Sequence, residues 1–182
     1  MQKVRGFTLL ELMITVLLLA IISAYAAPSF NNLMRHTRID SNTSKIRTAL
    51  NYARSEAVNQ GSTVTVCSST NSIACNGDEK WQTGWIVFLD LDAGGDFDGN
   101  ATTNPCVAGN DCLLRVWDAL PNGAELLETN VETFVTFTEQ GAVFGGKAFS
   151  LNLTEPECGE DEQRTLSLNI IGRLDVSIGD CP

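Results

Sequence analysis

One carboxylate stands inside the long apolar run at the start of the chain. Residues 7–27 contain Glu11, and apart from Tyr25 no other side chain in this run ionises. A carboxylate at membrane depth costs roughly 2.5–3.5 kcal/mol on insertion scales. It therefore needs a cationic partner, and nothing within the run supplies one. Glu11 is thus a candidate functional residue, as one half of an ion pair.

The residues before the apolar run indicate where that cation comes from. Lys3 and Arg5 precede Gly6, and Phe7 opens the run. This pattern resembles the class III signal of type IV prepilins and pseudopilins, in which a basic leader ends in glycine before phenylalanine. The resemblance implies that a prepilin peptidase cuts between Gly6 and Phe7 and that Phe7 is then N-methylated. The new amine would pair with Glu11 of a neighbouring subunit and set its axial register.

An ordinary secretory signal is the alternative interpretation of this segment. Lys3 and Arg5 would form its n-region, residues 9–22 its h-region, and residues 24–27 a small-residue cleavage site. Glu11 interrupts the h-region, which disfavours this alternative. A permanent single-span anchor without an assembly role is a third interpretation.

Six cysteines lie beyond the apolar run, and their even number predicts disulfides in an oxidising compartment. The sequence does not determine their connectivity. Two pairs that close short loops and one that tethers the C-terminus are preferred: Cys67–Cys75, Cys106–Cys112 and Cys158–Cys181. A zinc site is disfavoured because the chain has no CxxC pair and His36 is its only histidine.

Four aspartates in a glycine-rich stretch form a second candidate group, because clustered carboxylates suit a hard cation such as Ca²⁺. They are Asp90, Asp92, Asp96 and Asp98. Neither register of an EF-hand loop fits, since Ala101 or Val107 falls where the bidentate glutamate is required. A solvated loop is therefore preferred, and an irregular calcium site is a weak alternative. We expect no cofactor and no catalytic residue.

One long helix positions the first of these residues. Residues 1–6 are the leader, and residues 7–27 form a segment long enough, at about 1.5 Å per residue, to cross a bilayer. Pro28 removes an intrahelical hydrogen bond and is predicted to bend the helix. Apolar residues then recur at three- and four-residue steps, which predicts an amphipathic helix over residues 28–61 that packs on a sheet. They are Ile39, Ile46, Leu50, Ala53, Ala57 and Val58.

Strand patterns fill the head, residues 62–182. Gln140-Gly141 and Gly172-Arg173 are typical of hairpin turns, which favours antiparallel pairing. The predicted strands are Ser62–Cys67, Gly84–Leu89, Leu113–Trp117, Glu132–Phe137, Ala142–Phe144, Thr165–Ile171 and Leu174–Ile178. A helix followed by strands predicts an α+β fold with the helix packed on an antiparallel sheet.

Three segments resemble the GspH/FimT family of minor pilins and pseudopilins: residues 51–57, residues 84–90, and Gly172-Arg173 followed by Cys181. The resemblance implies a type IV pilin-like fold and a non-catalytic subunit that supports initiation or tip assembly of a type IV pilus. Its partners would be prepilin peptidase and other minor and major pilins. It would sit in the inner membrane with a periplasmic head and later in an extracellular filament. A GspH-like pseudopilin of type II secretion is the alternative.

Charge bears on a further alternative, a FimT-like pilin that takes up DNA. Residues 1–60 carry seven Lys/Arg and three acids, whereas residues 61–182 carry five Lys/Arg and 19 acids. An acidic head repels phosphate backbones. The FimT-like members credited with DNA capture in some bacteria use a basic C-terminal region, but residues 172–182 contain one cation, Arg173, and two acids. Arg173 is therefore a weak DNA-contact candidate, and a turn or surface role is preferred.

Overall fold

The computed structural model describes residues 7–99, 110–121, 123–130, 132–156 and 158–181, apart from the side chains of residues 25–29 and 31–32. Gly6 and Cys106 lie outside the described residues. The chain divides into two compact units, residues 1–38 and residues 39–182. Helix α1, Leu9–Gln60, contributes to both. Its backbone is helical at Pro28, and the bend predicted there stays a prediction.

The second part of α1 packs against the head through one face. Ile39, Ile46, Leu50, Ala53 and Ala57 are each at most 2% exposed. Their spacing is the one that the amphipathic pattern predicts. Val58 was assigned to the same face, but that assignment is wrong because its side chain is 52% exposed. The burial therefore ends at Ala57, one turn before the helix does.

Eight strands follow α1 in the described part of the chain. Their bounds are β1 Val64–Ser68, β2 Gly84–Leu89, β3 Cys112–Asp118, β4 Glu125–Glu128, β5 Phe134–Phe137, β6 Phe149–Thr154, β7 Gln163–Leu168 and β8 Leu174–Gly179. They form two four-stranded antiparallel sheets with the orders β3-β2-β1-β5 and β4-β6-β7-β8. The predicted α+β class is confirmed, with two sheets in place of one.

One predicted strand is wrong, two strands were missed, and the strand predicted at Thr165–Ile171 ends at Leu168. The strand predicted at Ala142–Phe144 is wrong, since Val143 makes only an isolated bridge with Phe137 and a 3₁₀ turn starts at Phe144. Gly145 in that turn has a φ of 72°, which extended backbone excludes. Strands β4 and β6 were not predicted. β6 nevertheless alternates buried and half-buried side chains, as a strand with one face on the core does.

The core lies where the two sheets and the second part of α1 meet. Trp81, Trp85 and Phe137 are among its largest members, and none is more than 1% exposed. The ring of Trp81 makes an edge contact with Phe149 of β6 at a centroid distance of 5.1 Å. Apolar burial of this extent is the main source of stability for a head of this size.

Candidate functional site

The start of α1 is fixed by a side-chain cap. The hydroxyl of Thr8 accepts a hydrogen bond from the backbone N–H of Glu11 at 3.2 Å. A threonine followed three residues later by glutamate is the pattern of a capping box, which the sequence analysis missed. The cap places Glu11 in the first helical turn, where the helix dipole favours a negative charge.

The side chains around Glu11 are uncovered. The large apolar residues between Phe7 and Ile22 are 50% to 80% exposed, and the carboxylate of Glu11 is exposed with them. No described residue supplies a cation to that carboxylate. Among the described residues, none of the helices has the combination of length and hydropathy that a membrane span requires.

Two of the three preferred disulfides are present in the structure. Cys67, in β1, is bonded to Cys75 in the following loop, with 5.6 Å between their Cα atoms. The other bond joins Cys158, before β7, to Cys181 after β8, at 5.9 Å. Cys112 is also disulfide-bonded, but Cys106 lies outside the described residues, so that third pairing stays a prediction.

The aspartate group differs in membership from the predicted one. Carboxylate oxygens of Asp90, Asp92 and Asp111 lie within 4.8 Å of one another, whereas Asp96 and Asp98 are exposed and outside this trio. Asp111 was not predicted. Strands β2 and β3 pair Leu89 with Cys112, so Asp90 and Asp111 are the next residues beyond the last pair. An antiparallel register would have indicated this contact.

Hydrogen bonds to the neighbouring loop explain the burial of the Asp90 and Asp111 carboxylates. Asp90 accepts bonds from the Thr65 hydroxyl at 2.6 Å and from the N–H groups of Gly94 and Gly95 at 3.1 and 3.0 Å. Asp111 accepts bonds from the N–H groups of two further loop residues, Leu91 at 3.0 Å and Asp98 at 3.3 Å. The two carboxylates thus anchor the loop of residues 91–98.

Burial has an electrostatic consequence for both groups. It disfavours the charged form, and it raises the pKa of Asp111 from 3.8 to about 6, with a smaller contribution from the charges of Asp90 and Asp98. Burial also raises the pKa of Asp90. The donors from the chain's own backbone satisfy both groups, so the geometry accounts for their burial as loop anchors without a cation.

Arg173 occupies an exposed position after the turn between β7 and β8. Its Nε and Nη2 atoms both donate to one carboxylate oxygen of Asp175, at 3.2 and 3.0 Å. Its charge is thereby paired on the surface. A turn or surface role accounts for these contacts.

Comparisons with known proteins support the pilin interpretation. Residues 1–27 match the prokaryotic N-terminal methylation motif, and residues 42–172 match the family described as type II transport protein GspH. The chain belongs to the GspH family. The motif and the family together identify a pilin-type structural subunit of the kind found in type IV pili and type II secretion systems.

Solved structures agree with the fold. Two crystal forms of the type IV minor pilin FimU of Pseudomonas aeruginosa superpose with TM-scores of 0.58 and 0.55, at 20% and 21% identity. They cover 78% and 76% of this chain and 90% and 91% of theirs. The minor pseudopilin EpsH of the Vibrio cholerae type 2 secretion system has a TM-score of 0.49 at 14% identity, covering 78% of this chain and 97% of its own. The similarity to FimU shows a type IV pilin-like fold.

Proposed function

We propose that this protein is a minor pilin of a type IV pilus, a low-copy structural subunit that supports initiation or tip assembly of the filament. One observation carries the proposal. Glu11 is held in the first turn of α1 among exposed apolar side chains, and no described residue offers it a cation. A charge in such a place is costly unless a partner arrives. The amine of another subunit is the partner that the methylation motif supplies.

The processing steps follow from the same segment. Prepilin peptidase cuts between Gly6 and Phe7, and Phe7 is then N-methylated. Residues 7–27 hold the protein in the inner membrane as a single span before assembly and pack among other pilin helices afterwards. The disulfides Cys67–Cys75 and Cys158–Cys181 support an oxidising location for the head, such as the periplasm and later the filament surface.

The Glu11→Ala substitution tests the proposal. We expect the variant to be cleaved normally but to be lost from sheared filaments, because the incoming amine has no counter-charge. Glu56→Ala removes another carboxylate of α1 and is the matched control, with filament recovery equal to that of the wild type. Immunoblots of the membrane and filament fractions measure both. Normal recovery of Glu11→Ala in filaments would contradict the ion-pair mechanism.

A minor pseudopilin of type II secretion is the second candidate, because the matching family carries that description. Deletion of the gene distinguishes a role in the pilus from a role in the secretion system. Loss of surface pili with normal protein secretion supports the pilus, and the opposite result supports the secretion system. DNA uptake is not proposed, since Arg173 is paired with Asp175 on an acidic head.

A further inference from the structure

A cleft beside the edge strand β3 brings a cation of α1 close to a cation of the head. The pairing of β2 with β3 places Trp117 opposite Trp85 and Arg115 opposite Val87. Trp85 and Val87 belong to the core that α1 covers, and cross-strand partners lie on the same face of a sheet. Arg115 and Trp117 therefore lie on the face that meets α1. The cleft has a volume of about 240 Å³, and Lys45 of α1 and Arg115 both line it.

Two aromatic rings hold the guanidinium of Arg115. Its Cζ atom lies 4.8 Å from the ring centroid of Trp117 and 5.5 Å from that of Tyr52. The ring of Trp117 is in turn stacked on Trp85, with 6.5 Å between centroids and 18° between planes. Contacts with a ring face attract a cation without using its N–H donors. The guanidinium is thus held in place before a ligand binds, which lowers the entropic cost of binding.

Neither cation of the cleft has an acid partner among the described residues. Lys45 donates through Nζ to the amide oxygen of Asn42 at 3.4 Å, and no described carboxylate forms an ion pair with Lys45 or Arg115. Arg164 and Arg173, by contrast, are each paired with an aspartate, at 3.4 and 3.0 Å. The cleft therefore offers two positive charges to a ligand, on a head that is otherwise acidic.

The other residues of the cleft indicate the class of ligand. Asp118 also lines it, so two cations and one carboxylate give a local formal charge of +1. This charge suits a ligand with one carboxylate, which an arginine fork and a lysine bind well, and with hydroxyl groups that donate to Asp118. Val116 and Trp117 add apolar surface. A volume of about 240 Å³ is below the roughly 300–1,000 Å³ of sites for drug-sized ligands, so the ligand is small.

We propose that this cleft binds a uronic acid, a sugar ring that carries one carboxylate and several hydroxyl groups. Arg115 and Lys45 pair with the carboxylate, and Asp118 accepts hydrogen bonds from the hydroxyl groups. The C–H groups of the ring pack against Val116 and Trp117. The inference goes beyond the proposed function, because it uses only residues of the second unit and applies to a subunit of either a pilus or a secretion system.

Calorimetric titration of the full-length protein with glucuronate tests the proposal. The protein is held in an uncharged detergent at low ionic strength, since salt screens ion pairs. Glucose, which lacks the carboxylate, and lactate, which lacks the ring, are the control ligands. We expect both to bind at least about tenfold more weakly than glucuronate. A short polymer of glucuronate distinguishes the two sources of such a residue: tighter binding than the monomer indicates a polysaccharide, and no gain indicates the free sugar.

Three substitutions locate the binding site. Lys45→Gln and Arg115→Gln are each expected to weaken glucuronate binding by about tenfold, because each removes one of the two charges that meet the carboxylate. Lys80→Gln is the matched control. Lys80 is exposed and has no acid partner among the described residues, but it lines a different cleft. The control makes the same change in net charge, and we expect it to bind glucuronate as the wild type does.

The outcomes separate this inference from the proposed function, which filament recovery tests independently. Absence of glucuronate binding, or equal binding of glucose or lactate, overturns the inference alone. An equal loss for Lys80→Gln assigns the effect to net charge and overturns it too. If Arg115→Gln also lowers the thermal unfolding midpoint, the exposed Lys45 decides: weaker binding by Lys45→Gln supports the cleft, and binding equal to that of the wild type overturns it.

Discussion

The two parts of helix α1 use apolar side chains in opposite ways. Between Leu9 and Ile22 the apolar residues surround the helix and are at least 50% exposed. Between Ile39 and Ala57 the aliphatic residues recur on one face and are at most 2% exposed. A helix that is apolar all round suits a non-aqueous or fully packed setting, whereas an amphipathic one suits the surface of a water-soluble domain.

The two parts therefore differ in whether the chain itself buries their apolar side chains. The head, with the second part of α1, buries a continuous apolar core and contains the described disulfides. The first part leaves its apolar surface and the charge of Glu11 uncovered. Under the proposed function a membrane or other subunits cover this surface, so we expect assembly to depend on the first part and folding to depend on the second.

The same substitution in each part tests this division most strongly. Leu50→Ala removes a core side chain that is 2% exposed, and we expect it to lower the free energy of unfolding of the head by about 2–5 kcal/mol. Leu17→Ala removes a side chain that is 63% exposed, and we expect it to leave the free energy of unfolding of the head unchanged. Denaturant unfolding of the full-length protein in detergent measures both. Equal effects of the two substitutions would contradict the conclusion that only the second part of α1 stabilises the head.

The pH dependence of the head gives the next largest effect. The pKa of Asp111 is raised from 3.8 to about 6, so its neutral form is favoured in the folded state. Its contribution to stability is fully present below about pH 4 and is lost as pH rises through 6, by at most about 3 kcal/mol. Asp111→Asn should abolish this component. The quantity to measure is the difference in unfolding free energy between wild type and variant at pH 4 and pH 8. A difference that does not change with pH would contradict the assignment.

A pair of glycine substitutions gives a smaller effect that sharpens the description of the head. At Gly172 the φ is 78°, and an added Cβ would lie 2.0 Å from the carbonyl oxygen of Gly141. We therefore expect Gly172→Ala to lower the free energy of unfolding by about 1–3 kcal/mol. Gly145 has a similar φ of 72°, but an added Cβ there meets nothing within 4 Å. Gly145→Ala should therefore cost less, and thermal unfolding measures the difference. An equal decrease in stability for both variants would show that the turn containing Gly172 does not pack closely on the turn containing Gly141.

The sequence predicted those features that depend on local pattern. β2 has the bounds that its continuous apolar run indicates, and the buried face of α1 follows its three- and four-residue spacing. β4 was not predicted, because the segment Glu125-Leu-Leu-Glu128 is too short and too acidic to indicate a strand. Its alternation of exposed and buried side chains is visible only once Glu128 is known to be buried and bonded to the loop that follows.

The candidate site divides along the same line. Gly6, Phe7 and Glu11 lie within six consecutive residues, so their pattern is recognisable without a structure. Asp111 and Arg54 form hydrogen bonds with residues that are 13 to 117 positions away in the sequence. Only the pairing of β2 with β3 and the packing of α1 on the head bring those partners together. Distant contacts of this kind are set by tertiary structure, which a single sequence does not display.

The central claim is that processing exposes an amine on Phe7 for Glu11 of a neighbouring subunit. Mass spectrometry of the mature protein, purified from sheared filaments, tests it most directly. The account predicts a chain that begins at N-methylated Phe7. A chain that keeps Met1 in cells containing prepilin peptidase, or one that begins near Ala27, would contradict it.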